Sequence, residues 1–150
     1  MTALGPYRLT KPCANCPFRT DIRPYLHPER VDEIEAALVR SEFHCHKTVD
    51  YSSVEENDDG ELDMDGRDST GEAHCAGALI LLEKLERPSQ MMRIAERLAL
   101  YDRRRIDMDA PVFDSFEDMR EAMEMQRSRR RKRAATTPPK SRRASTSNSR

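Results

Sequence analysis

Apolar residues recur at helical spacing in four stretches of the chain. Between Pro28 and about Ser41, Val31, Ile34 and Leu38 fall at i, i+3 and i+7. Pro28 suits the first turn of such a helix, where an N–H would have no intrahelical partner. A second helix is expected from near Cys75 through Ala-Gly-Ala-Leu-Ile-Leu-Leu-Glu-Lys-Leu, until Arg87-Pro88 breaks it. Its apolar residues extend around most of the helix, which predicts a central, buried element. A third starts after Pro88, with Ser89 as cap and Met91, Ile94, Ala95 and Leu98 on one face. The fourth follows Asp114-Ser115. There Ser115 and Asp118 resemble a capping box, and Phe116, Met119 and Met123 line one side before the helix frays into a basic arm. Strand signal is confined to Phe43–Val49, and no internal repeat is found. The fold class expected is mostly α: about four helices, little strand, and a basic tail.

Four cysteines add the chemistry. Cys13 and Cys16 form a C-x-x-C pair, Cys45 lies in Phe43-His44-Cys45-His46, and Cys75 follows His74. A C-x-x-C turn points two sulfurs at one place, and the fold must bring in the other two. Cys75, at the start of the second helix, is expected to be a thiolate stabilised by the helix N-terminus. The sequence thus predicts a small metal-stapled domain, with Cys13, Cys16, Cys45 and Cys75 as ligands and His46 next, either as a replacement ligand or hydrogen-bonded to one. Zinc and an iron–sulfur cluster compete for these donors. Cys16-Pro17 favours a cluster, whereas His44, His46 and His74 offer nitrogens that suit zinc.

Composition explains why a staple is needed. Hydrophobic residues make up 37% and charged residues 35% of 150 positions, with no tryptophan. So thin a core commonly relies on a disulfide or a metal. The N-terminus has no apolar signal segment and no apolar run is long enough to span a bilayer, so a cytoplasmic, reducing setting with no membrane partner is expected, which favours metal over disulfide.

The net charge of −1 conceals a segregation: ten of the 26 Lys and Arg, and none of the 27 Asp and Glu, lie after Gln126. Residues 127–150 lack any aromatic or large aliphatic side chain and are expected to form a disordered basic tail, leaving a domain at 1–126 with an acidic loop at about 50–72. Arg127, Arg129, Arg130, Arg131, Lys132, Arg133, Arg142 and Arg143 are the candidate contacts to nucleic acid. Without interleaved aromatic residues that binding is expected to be sequence-tolerant. Glu61 to Glu72 has partial calcium-loop spacing, but Glu61 at the first position and Arg67 inside the loop argue for a solvated acidic insertion.

The blocks Lys11-Pro12-Cys13-Ala14-Asn15-Cys16-Pro17-Phe18-Arg19, Phe43-His44-Cys45-His46 and Cys75-Ala76-Gly77 resemble those of a family of small uncharacterised proteins of actinobacterial tailed phages and their hosts. The stretches Gln90–Ala95, Leu100–Asp102 and Asp109–Phe113 are similar to a longer phage form. The resemblance spans roughly residues 11–123. It implies a shared cysteine site and a host-cytoplasmic setting if phage-encoded, and no known reaction. At position 99, where a helix-ending glycine is expected, this chain has Ala99.

The functional expectation is a nonenzymatic binding or adaptor protein, using its domain for a protein partner and its arm for nucleic acid. One alternative is an iron–sulfur redox or sensor protein using the same cysteines. Another is a catalytic zinc enzyme, for which Glu72 and His74 are the residues at hand.

Overall fold

The computed structural model describes residues 5–40, 42–56, 59–60, 62–63 and 69–136. Among these, four α-helices carry the fold, in agreement with the expected helical class. Helix α1 (Pro28–Arg40) buries Pro28, Val31, Ile34 and Leu38, the stripe that the spacing predicts. Helix α2 (Ala76–Lys84) is buried from Ala76 through Glu83 and forms the centre of the molecule. Its end comes earlier than Arg87-Pro88. Glu86 adopts a left-handed conformation, φ 54°. The N–H groups of Glu86 and Arg87 then close on the carbonyls of Glu83 and Leu82 at 3.1 and 3.0 Å, satisfying groups a helix terminus leaves open.

Helix α3 (Gln90–Arg97) is capped by Ser89, whose Oγ accepts the Met92 N–H at 3.2 Å. Its buried face differs from the expected one. Met92 and Ala95 are buried, whereas Met91, Ile94 and Leu98 are exposed. The cause is the chain's return after the helix. Ala99 turns left-handed, φ 56°, the N–H groups of Leu100 and Tyr101 fold back on Ala95 O at 2.8 and 3.2 Å, and Tyr101 enters the core. Its hydroxyl donates to the buried Glu83 carboxylate at 2.6 Å.

Helix α4 (Phe116–Thr136) buries Phe116, Met119, Met123 and Gln126. Ser115 Oγ accepts the Asp118 N–H at 3.0 Å and donates to Asp118 Oδ2 at 2.7 Å. The helix lies along α1, tied by Arg120 to Asp32 and Glu35 at 2.6 and 3.3 Å and by Arg127 to Glu29 at 2.6 Å. It runs further than expected, so residues 127–136 of the basic arm are helical. Acids in its first turn and an unbroken run of good helix formers, with no Gly or Pro before Pro138, account for this. Residues 137–150, with Arg142 and Arg143, lie outside the described residues.

Phe43–Val49 forms no strand. It supplies one antiparallel bridge, His44 to His74, followed by a turn. The one described strand pair is β1 (Glu55–Glu56) against β2 (Leu62–Asp63) in the acidic insertion. Residues 61 and 64–68, on which the calcium-loop reading turns, lie outside the described residues. Glu72, at the end of that stretch, is buried and not solvated. No described helix is long and apolar enough to cross a membrane.

Candidate metal centre

Three chain segments meet at the N-terminus of α2. The C-x-x-C segment turns through hydrogen bonds from Cys16 N–H to Cys13 O and from Arg19 N–H to Cys16 O, 3.2 and 3.1 Å. Tyr25 braces this turn by donating to Asn15 O at 2.7 Å. The bridge supplies the other two cysteines: Cys45 N–H bonds Ala73 O and Cys75 N–H bonds Phe43 O, each at 2.8 Å. Cys16, Cys45 and Cys75 are buried, Cys13 is partly buried, and all four are free thiols.

The structure brings two of the four predicted cysteines into sulfur contact, and among the described residues no three of the sulfurs lie within 4.8 Å of one another. Cys16 and Cys75 sulfurs stand 3.5 Å apart. Cys13 feels the charges of Cys45 and Cys16, and Cys75 feels those of Cys16 and Cys45. Tyr25, pushed up to about 12 by burial, feels Cys16, Cys13 and Cys75 as well. Cys16 lies so tightly against α2 that a Cβ on Gly77 would collide with its sulfur.

The two buried thiols at the start of α2 are shifted in opposite directions. The hydrogen bond from Cys75 holds the Cys16 thiol below its ordinary value, with backbone N–H groups of Phe18 and Gly77 assisting against burial. Cys75 is raised well above its own ordinary value, first by donating to Cys16 and then by burial. Cys13 is raised, chiefly by burial.

His46 lines an open cleft of about 620 Å³ with Asn15, Pro17, Tyr25 and Phe43. Of the predicted arm residues, Arg127 is engaged by Glu29 and Glu124, both at 2.6 Å. Arg129, Arg130, Arg131, Lys132 and Arg133 are exposed on α4 beyond its last buried residue.

A second cluster forms on the other side of the bridge. Successive residues of extended chain point to opposite faces, so with Cys45 and Cys75 turned to the sulfurs, His44 and His74 share the reverse face. Their rings stack at 5.2 Å and 19°. Glu42 reaches both: Oε1 lies 3.2 Å from His74 Nε2, and Oε2 lies 3.6 Å from His44 Nε2. The Nδ1 of His44 meets Glu72 Oε2 at 3.3 Å. Glu42, His44 and His74 are the one described trio of His, Cys, Asp or Glu donors whose atoms all lie within 4.8 Å of one another. Burial, then the charge of His44, drives the His74 pKa down to about 4, so its contact with Glu42 is not an ion pair at neutral pH. Burial raises Glu42. Sequence reasoning missed Glu42 altogether. The repeated His-Cys dipeptide was the available signal, since alternation sends the two residue types to opposite faces.

Comparison of the chain with protein-family models, curated proteins and solved structures found no match.

Proposed function

We propose that this protein is a nonenzymatic, phage-type adaptor whose cysteine-stapled domain presents a basic helix to nucleic acid. The observation that carries the reading is the course of α4. After Gln126 no residue of the helix is buried, and five consecutive cations, Arg129 to Arg133, stand exposed on it. Steps of about 100° per residue distribute these charges around the whole helix, which suits a surface of phosphates rather than a single acidic pocket. The staple is zinc held by Cys13, Cys16, Cys45 and Cys75. Thiolates about 2.3 Å from one zinc ion stand roughly 3.8 Å apart, near the 3.5 Å between Cys16 and Cys75. The metal would fasten the N-terminal turn, the bridge and α2 together.

Changing Arg129, Arg130, Arg131, Lys132 and Arg133 together to Gln tests the arm. The full chain should bind duplex DNA without sequence preference and weaken steeply with salt. The variant should keep its fold and lose about 0.9 from the log–log salt slope for each phosphate contact removed. DNA binding equal to the parent's, or insensitive to salt, would sink the assignment.

A second reading rests on the close approach of Cys16 and Cys75. Four free cysteines, two of them with sulfurs 3.5 Å apart, also suit an iron–sulfur cluster, which makes the protein a redox or sensor module. Iron and sulfide in anaerobically purified protein would select it, and one zinc per chain in the sulfur site with no colour would exclude it.

A further inference from the structure

The geometry points to a second metal site, formed by Glu42, His44 and His74, that takes a divalent transition-metal ion such as zinc through one carboxylate oxygen and two imidazole nitrogens, back to back with the cysteine site. It goes beyond the adaptor reading and does not depend on it.

The first support is spacing. Tetrahedral oxygen and nitrogen donors about 2.0–2.1 Å from a zinc ion stand roughly 3.3 Å from one another. Glu42 Oε1 lies 3.2 Å from His74 Nε2 and its Oε2 3.6 Å from His44 Nε2, and one donor atom from each of the three residues lies within 4.8 Å of the others. Modest turns of the side chains bring the lone pairs to a common point.

The second support is Glu72. A metal-binding imidazole usually gives its other N–H to a carboxylate, which fixes the ring and strengthens the ligand. Glu72 holds that position: its side chain is 2% exposed and Oε2 faces His44 Nδ1 at 3.3 Å. With the Nδ1 proton of His44 facing Glu72, Nε2 is left to ligate beside Glu42.

Access and held position complete the case. His74 is 3% exposed and packs at a tilt against Tyr7, 4.2 Å between ring centroids, while the side chains of Glu42 and His44 are 25% and 26% exposed. The buried ligand is thus rigid, and the open side faces solvent. Three protein ligands leave a coordination position for water or for an oxygen donor of a bound molecule, whereas a four-cysteine site has none. The donor types also separate the two sites, since borderline nitrogen and oxygen ligands accept zinc or ferrous iron and the sulfurs prefer softer ions.

The test is titration of the full chain with Co²⁺ under reducing conditions. Cobalt bound by thiolates gives an intense sulfur-to-metal band in the near ultraviolet, and cobalt bound by nitrogen and oxygen does not. Two equivalents are expected, only one with that band. Glu42→Gln and His74→Ala should each lose the band-free equivalent and keep the other. Glu42→Gln, on a partly exposed side chain, guards against misfolding of the His74 variant. Glu72→Gln should retain the equivalent and weaken it by about 10- to 100-fold. A chain that lacks the sulfur band but binds an equivalent lost in Glu42→Gln would refute the zinc staple and uphold this site. A full chain that binds only the sulfur equivalent would overturn it, as would a band-free equivalent that persists in the Glu42→Gln/His74→Ala double variant.

Discussion

Ala99 is a residue whose side chain opposes its backbone. At φ 56° its Cβ crowds the neighbouring carbonyl, a cost that glycine escapes. The position is a helix exit that must turn left-handed for Leu100 and Tyr101 to bond Ala95 and for Tyr101 to reach Glu83. Ala99→Gly should therefore raise stability by about 1 kcal/mol, read as a higher denaturant midpoint with an unchanged slope. An unchanged or lower midpoint would mean that the left-handed turn is not strained. The glycine expected at position 99 marked the turn correctly from sequence, although the residue present does not favour it. Glu42 was invisible for a different reason. A lone acid before an aromatic residue carries no periodicity, and only the pairing of His44 with His74 gives it partners.

Among the elements, α2 joins packing to chemistry through Gly77. A methyl group there meets Cys16 Sγ and lies 3.0 Å from Phe18 Cβ, in a region without room. Gly77→Ala should destabilise the fold by about 1–3 kcal/mol through overpacking. It should also weaken metal binding at the cysteines, because its first effect is to push Cys16 away from Cys75. Thermal melts and metal content measured together would decide. Loss of stability with metal content intact would separate packing from the site. The helices themselves were legible because α1, α2 and α4 bury the residues that their spacing nominates. The face of α3 was not. Met91, Ile94 and Leu98 make a regular stripe, but periodicity reports only that a helix has an apolar side. The return of the chain through Tyr101 selects Met92 and Ala95. The extent of α4 was misread for a related reason: charge composition argued for a tail, while helix-forming Arg, Lys and Ala continue the hydrogen bonding that the buried half begins.

For the molecule as a whole, the cysteines sit inside the one hydrophobic cluster and not beside it. Cys16, Cys45 and Cys75 are members of the core, with Cys13 packed against it. Removing a bound metal would leave converging thiols in the middle of a small core, so metal affinity and folding free energy should be linked. The expected outcome of strong chelation is loss of the cooperative melt of the full chain, with recovery on adding zinc under reducing conditions. A chelated chain that melts at the parent temperature would show that the cysteines do not staple the fold. The segregation of charge was legible at this level, since it needs only counting. The convergence of Cys45 and Cys75 was expected from chemistry, but the bridge that achieves it was not, because one pair of facing residues leaves no strand-length pattern.

That bridge is also the neck of an excursion. The bonds Cys45–Ala73 and Cys75–Phe43 close the chain on itself at residues 43–45 and 73–75, whatever runs between. Flexible-loop closure costs only about 0.6 kcal/mol more for each doubling of length. The stretch between Asp50 and Ser69 is thus a natural place to shorten the chain or to graft a foreign segment, and a cut there would leave both ends anchored at the same neck.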